Sequence, residues 1–136
     1  MMAEPSIIYV EDDPGSRTVM DILVRQMMGI PHLTIFSDSA DFIERVEALE
    51  REPDLFLLDI HVAPLDGFQL LQMLRAHPAY GRRPVIALTA SVMNEEIQQL
   101  KNAGFDGVIA KPIKIDTFPM LIERILCGEH VWMIVS

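Results

Sequence analysis

The sequence predicts an α/β fold, a doubly wound parallel sheet with helices on both faces, and three observations carry that prediction. Five short runs, IIYV at 7–10, LTIF at 33–36, LFLL at 55–58, VIAL at 85–88 and VIA at 108–110, alternate with longer stretches of helical periodicity. The last three are wholly apolar, as strands covered on both faces should be. Polar residues stand where four of the runs stop: Glu11, Asp12 and Asp13, then Asp59, then Thr89, then Lys111 with Pro112. In a parallel sheet built with right-handed crossovers these groups reach one edge, beyond the carboxyl ends of the strands, where such folds bind ligands.

The elements follow in order. Asp13 and Pro14 make an N-cap and first-turn pair for a helix expected to turn Val19, Met20, Leu23 and Met27 inward and to stop near Gly29. Ser37 or Asp38 is expected to cap the second helix, which would bury Phe42, Val46 and Leu49. The third follows Asp66 and Gly67, offers Phe68, Leu71 and Leu74 to the core, and cannot continue through Pro78. Asn94 is the expected cap of a fourth helix ending at Gly104. The fifth begins near Asp116, admits Pro119 in its first turn, and carries Phe118, Leu121, Ile122, Ile125 and Leu126.

After this fifth unit comes EHVWMIVS, residues 129–136, apolar at five consecutive positions. It reads as an edge strand or dimer contact, as a lead into a further domain, or as a flap over the chain's own helices, since an exposed run of this kind needs a cover.

At 136 residues and 50% hydrophobic, the chain fits one compact domain with a real core. A formal net charge of −9 argues against nucleic-acid binding and favours cations and protein partners. The single cysteine, Cys127, cannot form an internal disulfide, and Cys/His zinc spacings are absent, so a reducing cytosol is the expected setting. No apolar stretch approaches the ~18 residues of a membrane span, and the N-terminus lacks the layout of a signal peptide. The nine methionines read mostly as core fillers, Met20, Met27, Met73 and Met120 among them, and His32, His77 and His130 as surface or turn residues.

Glu11, Asp12 and Asp59 at one sheet edge repel one another and call for a cation. All-oxygen ligands with room for water suit Mg²⁺ better than zinc. A carboxylate is already ionised at neutral pH, so Asp59 needs no base to attack phosphorus, and the demand is for neutralising charge on the phosphoryl oxygens. Mg²⁺, the Lys111 ammonium and the Thr89 hydroxyl are positioned by the spacing to meet it.

The motifs YVEDD, LLDI with DG following so that Gly67 lies eight residues beyond Asp59, ALTAS and AKPI stand in one order and spacing over about residues 4 to 127. On them the chain resembles a response-regulator receiver domain of two-component signalling. The resemblance implies a flavodoxin-like fold of five parallel strands in the order 2-1-3-4-5, with a receiver over 1–128 and the tail over 129–136. It implies Asp59 as phosphoacceptor, Mg²⁺ held by Asp12, Asp59 and the His61 backbone carbonyl with Glu11 in the outer shell, Thr89 and Lys111 on the phosphoryl group, and a cis peptide between Lys111 and Pro112. The implied partners are a sensor histidine kinase or phosphotransfer protein as donor and a downstream protein. A homodimer would use the face of the fourth helix, fifth strand and fifth helix, or the tail; neither nucleic acid nor membrane is an expected partner.

Four positions stand out against the family pattern. An aromatic residue usually stands three positions before the lysine, where this chain has Val108, so the usual switch reporter is missing. Ala63 precedes Pro64 in the loop after Asp59, which changes the turn. His61 and Ser91, two residues past Asp59 and Thr89, are expected to tune the lifetime of the phosphoryl group. The expected function is therefore a signalling module and not a metabolic enzyme. A phosphorylation-independent interaction module and a small Mg²⁺-dependent aspartyl-phosphate phosphatase are the competing readings.

Overall fold

The computed structural model describes residues 4–133. Its elements are β1 (Ser6–Val10), α1 (Pro14–Asp21), β2 (His32–Phe36), α2 (Phe42–Glu47), β3 (Leu55–Asp59), α3 (Gly67–Ala76), β4 (Val85–Thr89), α4 (Asn94–Ala103), β5 (Gly107–Ala110), α5 (Phe118–Leu126) and β6 (Val131–Met133). All pairings are parallel and the strand order is β2-β1-β3-β4-β5-β6. The sheet thus has six strands where five were expected, because part of the C-terminal segment pairs with β5. Ile134, Val135 and Ser136, the rest of the expected tail, lie outside the described residues. Among the described residues no helix is long and apolar enough to cross a membrane.

Alternation along the buried strands sends side chains to two cores. Ile8, Val10, Phe56, Leu58, Ala87 and Val108 meet Phe42 and Val46 of α2, Leu70, Leu71 and Leu74 of α3, and Ile97 and Leu100 of α4. Ile7, Tyr9, Leu55, Leu57, Leu88 and Ile109 meet Met20, Leu23 and Val24 on one side and Phe118, Leu121, Ile122 and Ile125 of α5 on the other. The parallel register brings the ends of β1, β3, β4 and β5 to one level, and the polar residues at and just past them share an edge.

Four expectations need correction. Val19 and Met27 are 42% and 56% exposed instead of buried. After Asp21 the first helix continues over Ile22–Met27 as a π-helical segment, with bonds from Met28 N–H to the Leu23 carbonyl and from Ile30 N–H to the Val24 carbonyl. The wider turn brings Met20, Val24 and Met28 onto the core side and rotates Met27 out. Met120 is likewise exposed, at 53%, so it and Met27 are not core fillers.

α2 starts at Phe42, capped by neither Ser37 nor Asp38. Asp38 instead accepts from the Ala40 N–H and from Arg45, and Ser39 is drawn inward to donate to the Leu65 carbonyl and accept from the Leu65 N–H. Asp41, at φ +49°, then turns the chain into the helix. At α4, Met93 occupies the cap position and Asn94 is the first helical residue, so this helix has no side-chain cap. By contrast, Asp66 forms a reciprocal capping box with Gln69 at α3.

Candidate functional site

β1 delivers Glu11, Asp12 and Asp13 just past its end, and each takes a different role. Asp13 caps α1, accepting from the Ser16 N–H at 2.7 Å, and that bond holds its carboxyl below the ordinary range. Asp12 is exposed. Glu11 is fully buried, and three donors satisfy it: the Tyr9 hydroxyl at 2.9 Å and the Lys111 ammonium at 2.8 Å on Oε1, and the Asp13 N–H at 3.3 Å on Oε2.

Asp59 ends β3 at 5% exposure. Its Oδ1 accepts from the His61 N–H at 3.1 Å, and its Oδ2 lies 3.5 Å from Lys111 Nζ. The backbone here is fixed by Gly67 at the start of α3, where a Cβ would meet the Ile60 Cα and Cδ1 at 2.9 Å and the Asp59 carbonyl at 3.3 Å. Only glycine lets the helix close this tightly behind the aspartate.

Thr89 ends β4, 4% exposed, and its hydroxyl is bound to the backbone of Ser91, accepting from the N–H at 3.1 Å and lying 3.5 Å from the carbonyl. Lys111 follows β5, its N–H bonded to the Thr89 carbonyl, and the Lys111–Pro112 peptide is cis, as is Ala63–Pro64. Partial burial works against the Lys111 ammonium, but the hydrogen bond to Glu11 and the charge of Asp59 outweigh it and hold its pKa above the usual lysine value. His61 is exposed, Ser91 half-buried, and both line a groove of about 320 Å³ with Thr89, Ile60, Phe68 and Glu96. Val108 is buried inside the sheet, away from that groove.

Carboxylate oxygens of Glu11, Asp12 and Asp59 all lie within 4.8 Å of one another. Three carboxylates with one lysine among them leave an excess of negative charge, two of the three being buried. A divalent, oxygen-seeking cation fits this donor set, and a soft metal does not.

Tyr9 is the residue the sequence reading passed over. It is the one polar-headed side chain in IIYV, and that was the available signal; its burial and the adjacent Glu11 charge raise its pKa far above the ordinary tyrosine value.

The model of the response regulator receiver domain family matches residues 7–123. The chain is 26% identical over 126 residues to the signal transduction histidine-protein kinase BarA of Escherichia coli (strain K12), covering 93% of this chain but 13% of that protein. It is 30% identical to the response regulator Rre1 of Synechocystis sp., covering 95% of this chain and 55% of that protein. The chain thus spans only part of both relatives. Among solved structures, the receiver domain of the sensor histidine kinase PA1611 from Pseudomonas aeruginosa PAO1, with a magnesium ion coordinated in the active site cleft, superposes with a TM-score of 0.80. It is 28% identical, and the match covers 93% of this chain and all of that one.

Proposed function

The chain belongs to the response regulator receiver domain family, and from that premise we propose that Asp59 accepts a phosphoryl group from a phosphohistidine of a sensor kinase or phosphotransfer protein and that the change is read by a downstream protein. The observation that carries this reading is Lys111 Nζ standing between Glu11 and Asp59, at 2.8 and 3.5 Å, beside the three-carboxylate cluster. Asp12, Asp59 and the His61 carbonyl would hold Mg²⁺, with Glu11 behind them. When bound, the cation would offset the carboxylate charge and that of the phosphoryl oxygens.

The chain's own groups do the rest. One oxygen of the Asp59 carboxylate forms the new bond to phosphorus as the phosphorus–nitrogen bond breaks, and the donor imidazole leaves with the electron pair. Lys111 turns from Glu11 towards the phosphoryl oxygens, and the Tyr9 hydroxyl stays on Glu11 Oε1 so that the buried carboxylate is not stranded. Thr89 donates its one hydroxyl proton to a phosphoryl oxygen. His61 and Ser91, at the mouth of the neighbouring groove, set how readily water reaches the acyl phosphate. Replacing His61 by methionine is expected to change the decay rate of the phosphorylated form and leave its formation intact.

The test is intact mass after incubation with acetyl phosphate, which transfers its phosphoryl group and leaves as acetate. With Mg²⁺ a gain of about 80 Da is expected, absent with EDTA. No gain with Mg²⁺ and no phosphate release would overturn the reading in favour of a phosphorylation-independent interaction module, and rapid phosphate release without a gain would favour a phosphatase.

A further inference from the structure

β6 lies along the edge of β5, with Val131 opposite Gly107 and Trp132 opposite Val108. Its successive side chains cover different cores. Val131 is buried in the core that includes α5, whereas Trp132 packs against the core that includes α4. On α4 the Lys101 ammonium stands 5.0 Å from the centre of the Trp132 ring, within cation–π range. His130 Nε2 adds a contact at 3.6 Å to Asp106. The fit depends on Gly107, where a Cβ would fall 2.2 Å from the Val131 carbonyl oxygen. Three residues thus close the hydrogen-bonding edge of β5 and the margins of both neighbouring helices.

The covered strip connects to the phosphorylation site by two routes. Thr89 and Ala87 point to the same face of β4, and Ala87, Val108 and Trp132 form a row across three strands one step below the threonine. The second route runs through the loop. The Thr89 hydroxyl is held to Ser91, and this loop opens α4, which has no side-chain cap and buries only Ile97 and Leu100. α4 is tied to the sheet through these two residues and follows directly from the loop, so a release of the loop can carry the helix with it.

We propose that the β5 edge, flanked by α4 and α5, is the protein-docking strip of this chain and that its own strand Val131–Met133 is the resting occupant, released when a phosphoryl group on Asp59 draws the Thr89 hydroxyl off Ser91 and moves α4 beneath Trp132. The inference rests on Asp59 being the phosphoacceptor. Strand addition at a sheet edge supplies main-chain hydrogen bonds, and alternate side chains supply selectivity, which is how Val131 and Trp132 are seated. An aromatic ring is thereby delivered to the side of Val108 from the neighbouring strand instead of from position 108 itself.

Trp132 is the only tryptophan in the sequence, so its fluorescence reports on the strand in the full chain. Treatment with acetyl phosphate and Mg²⁺, with intact mass followed in the same samples, should move its emission to longer wavelength. Acrylamide quenching should rise about twofold, the change expected as a half-covered ring becomes open to solvent. Mg²⁺ alone, or the Asp59→Ala variant with both reagents, should leave the signal unchanged. Gly107→Ala should show the exposed emission without any phosphodonor. Lys101→Gln, a change at an exposed helix position, should raise quenching at rest and provides a second probe that does not disturb the strand. A mass gain with emission and quenching unchanged overturns the proposal while the phosphoacceptor reading stands. Resting Gly107→Ala and Lys101→Gln proteins both indistinguishable from the parent also overturn it. No mass gain overturns both readings.

Discussion

Glu11 shows how single residues set the site. Its carboxylate has no access to water and is held by Tyr9, Lys111 and the Asp13 N–H. Removing one partner of a buried pair costs about 3–5 kcal/mol. Lys111 keeps 20% of its side-chain surface in contact with water, so Lys111→Met is expected to destabilise the metal-free protein by about 2–3 kcal/mol. Urea unfolding with and without Mg²⁺ measures this, and Mg²⁺ should restore part of the loss. Tyr9 and Tyr80, the two tyrosines, both have raised pKa values, from burial first and then from nearby carboxylates, Glu11 for Tyr9 and Glu47 and Glu52 for Tyr80. Below pH ~10 both states keep these protons; above it the unfolded chain loses them first, so stability should fall as pH rises past ~10. Tyrosinate absorbance should therefore appear together with unfolding, and ionisation near pH 10 in a still-folded protein would contradict the assigned environments. Asp59, Thr89 and Lys111 were legible in the sequence because each ends a short apolar run. Tyr9 was not, since inside an apolar strand its ring reads as core and its hydroxyl partner is a matter of tertiary placement.

Elements position these residues through close backbone contacts, and that is where the sequence pattern is thinnest. Gly67→Ala would force its Cβ against the Ile60 backbone and push the end of β3 out of line. Phosphoryl uptake from acetyl phosphate should slow at least tenfold, equivalent to about 1.4 kcal/mol of lost positioning, while far-UV circular dichroism stays unchanged. Asp66→Ala removes the capping box of α3 and should lower stability by about 1 kcal/mol in urea. The first five strands and the five helices between and after them were readable because the period of the apolar residues changes cleanly at each of them. The facing of Met27 was not, because a π-helical segment leaves no mark in a 3.6-residue pattern. Nor was the late start of α2, since Asp38, one of the two expected caps, is taken up by the Ala40 N–H and Arg45 while Ser39 is drawn in to the backbone of Leu65. Local propensity favoured a cap, and tertiary pairing prevailed.

At the scale of the molecule, two cores on either side of one sheet fix the level at which the strands end, and that level is what gathers groups as far apart as Glu11 and Lys111. The order of the first five strands is the one the family resemblance implies, whereas the sixth depends on a three-residue pairing that an apolar tail only hints at. A cation taken up by the proposed site would close a cluster that folding has already assembled, and its binding should stabilise the native state by about 2.7 kcal/mol at a hundredfold excess over Kd. Thermal unfolding with Mg²⁺ should show the shift, and Asp12→Asn should lose most of it. Whether Asp59 is the phosphoacceptor is decided most directly by locating the phosphoryl group. Protein treated with acetyl phosphate and Mg²⁺ is reduced with borohydride, which converts an aspartyl phosphate to homoserine, and is then mapped by peptide mass. Homoserine is expected at position 59 alone, and its appearance at Asp12 or elsewhere with position 59 still aspartate would rule out Asp59 as the phosphoacceptor.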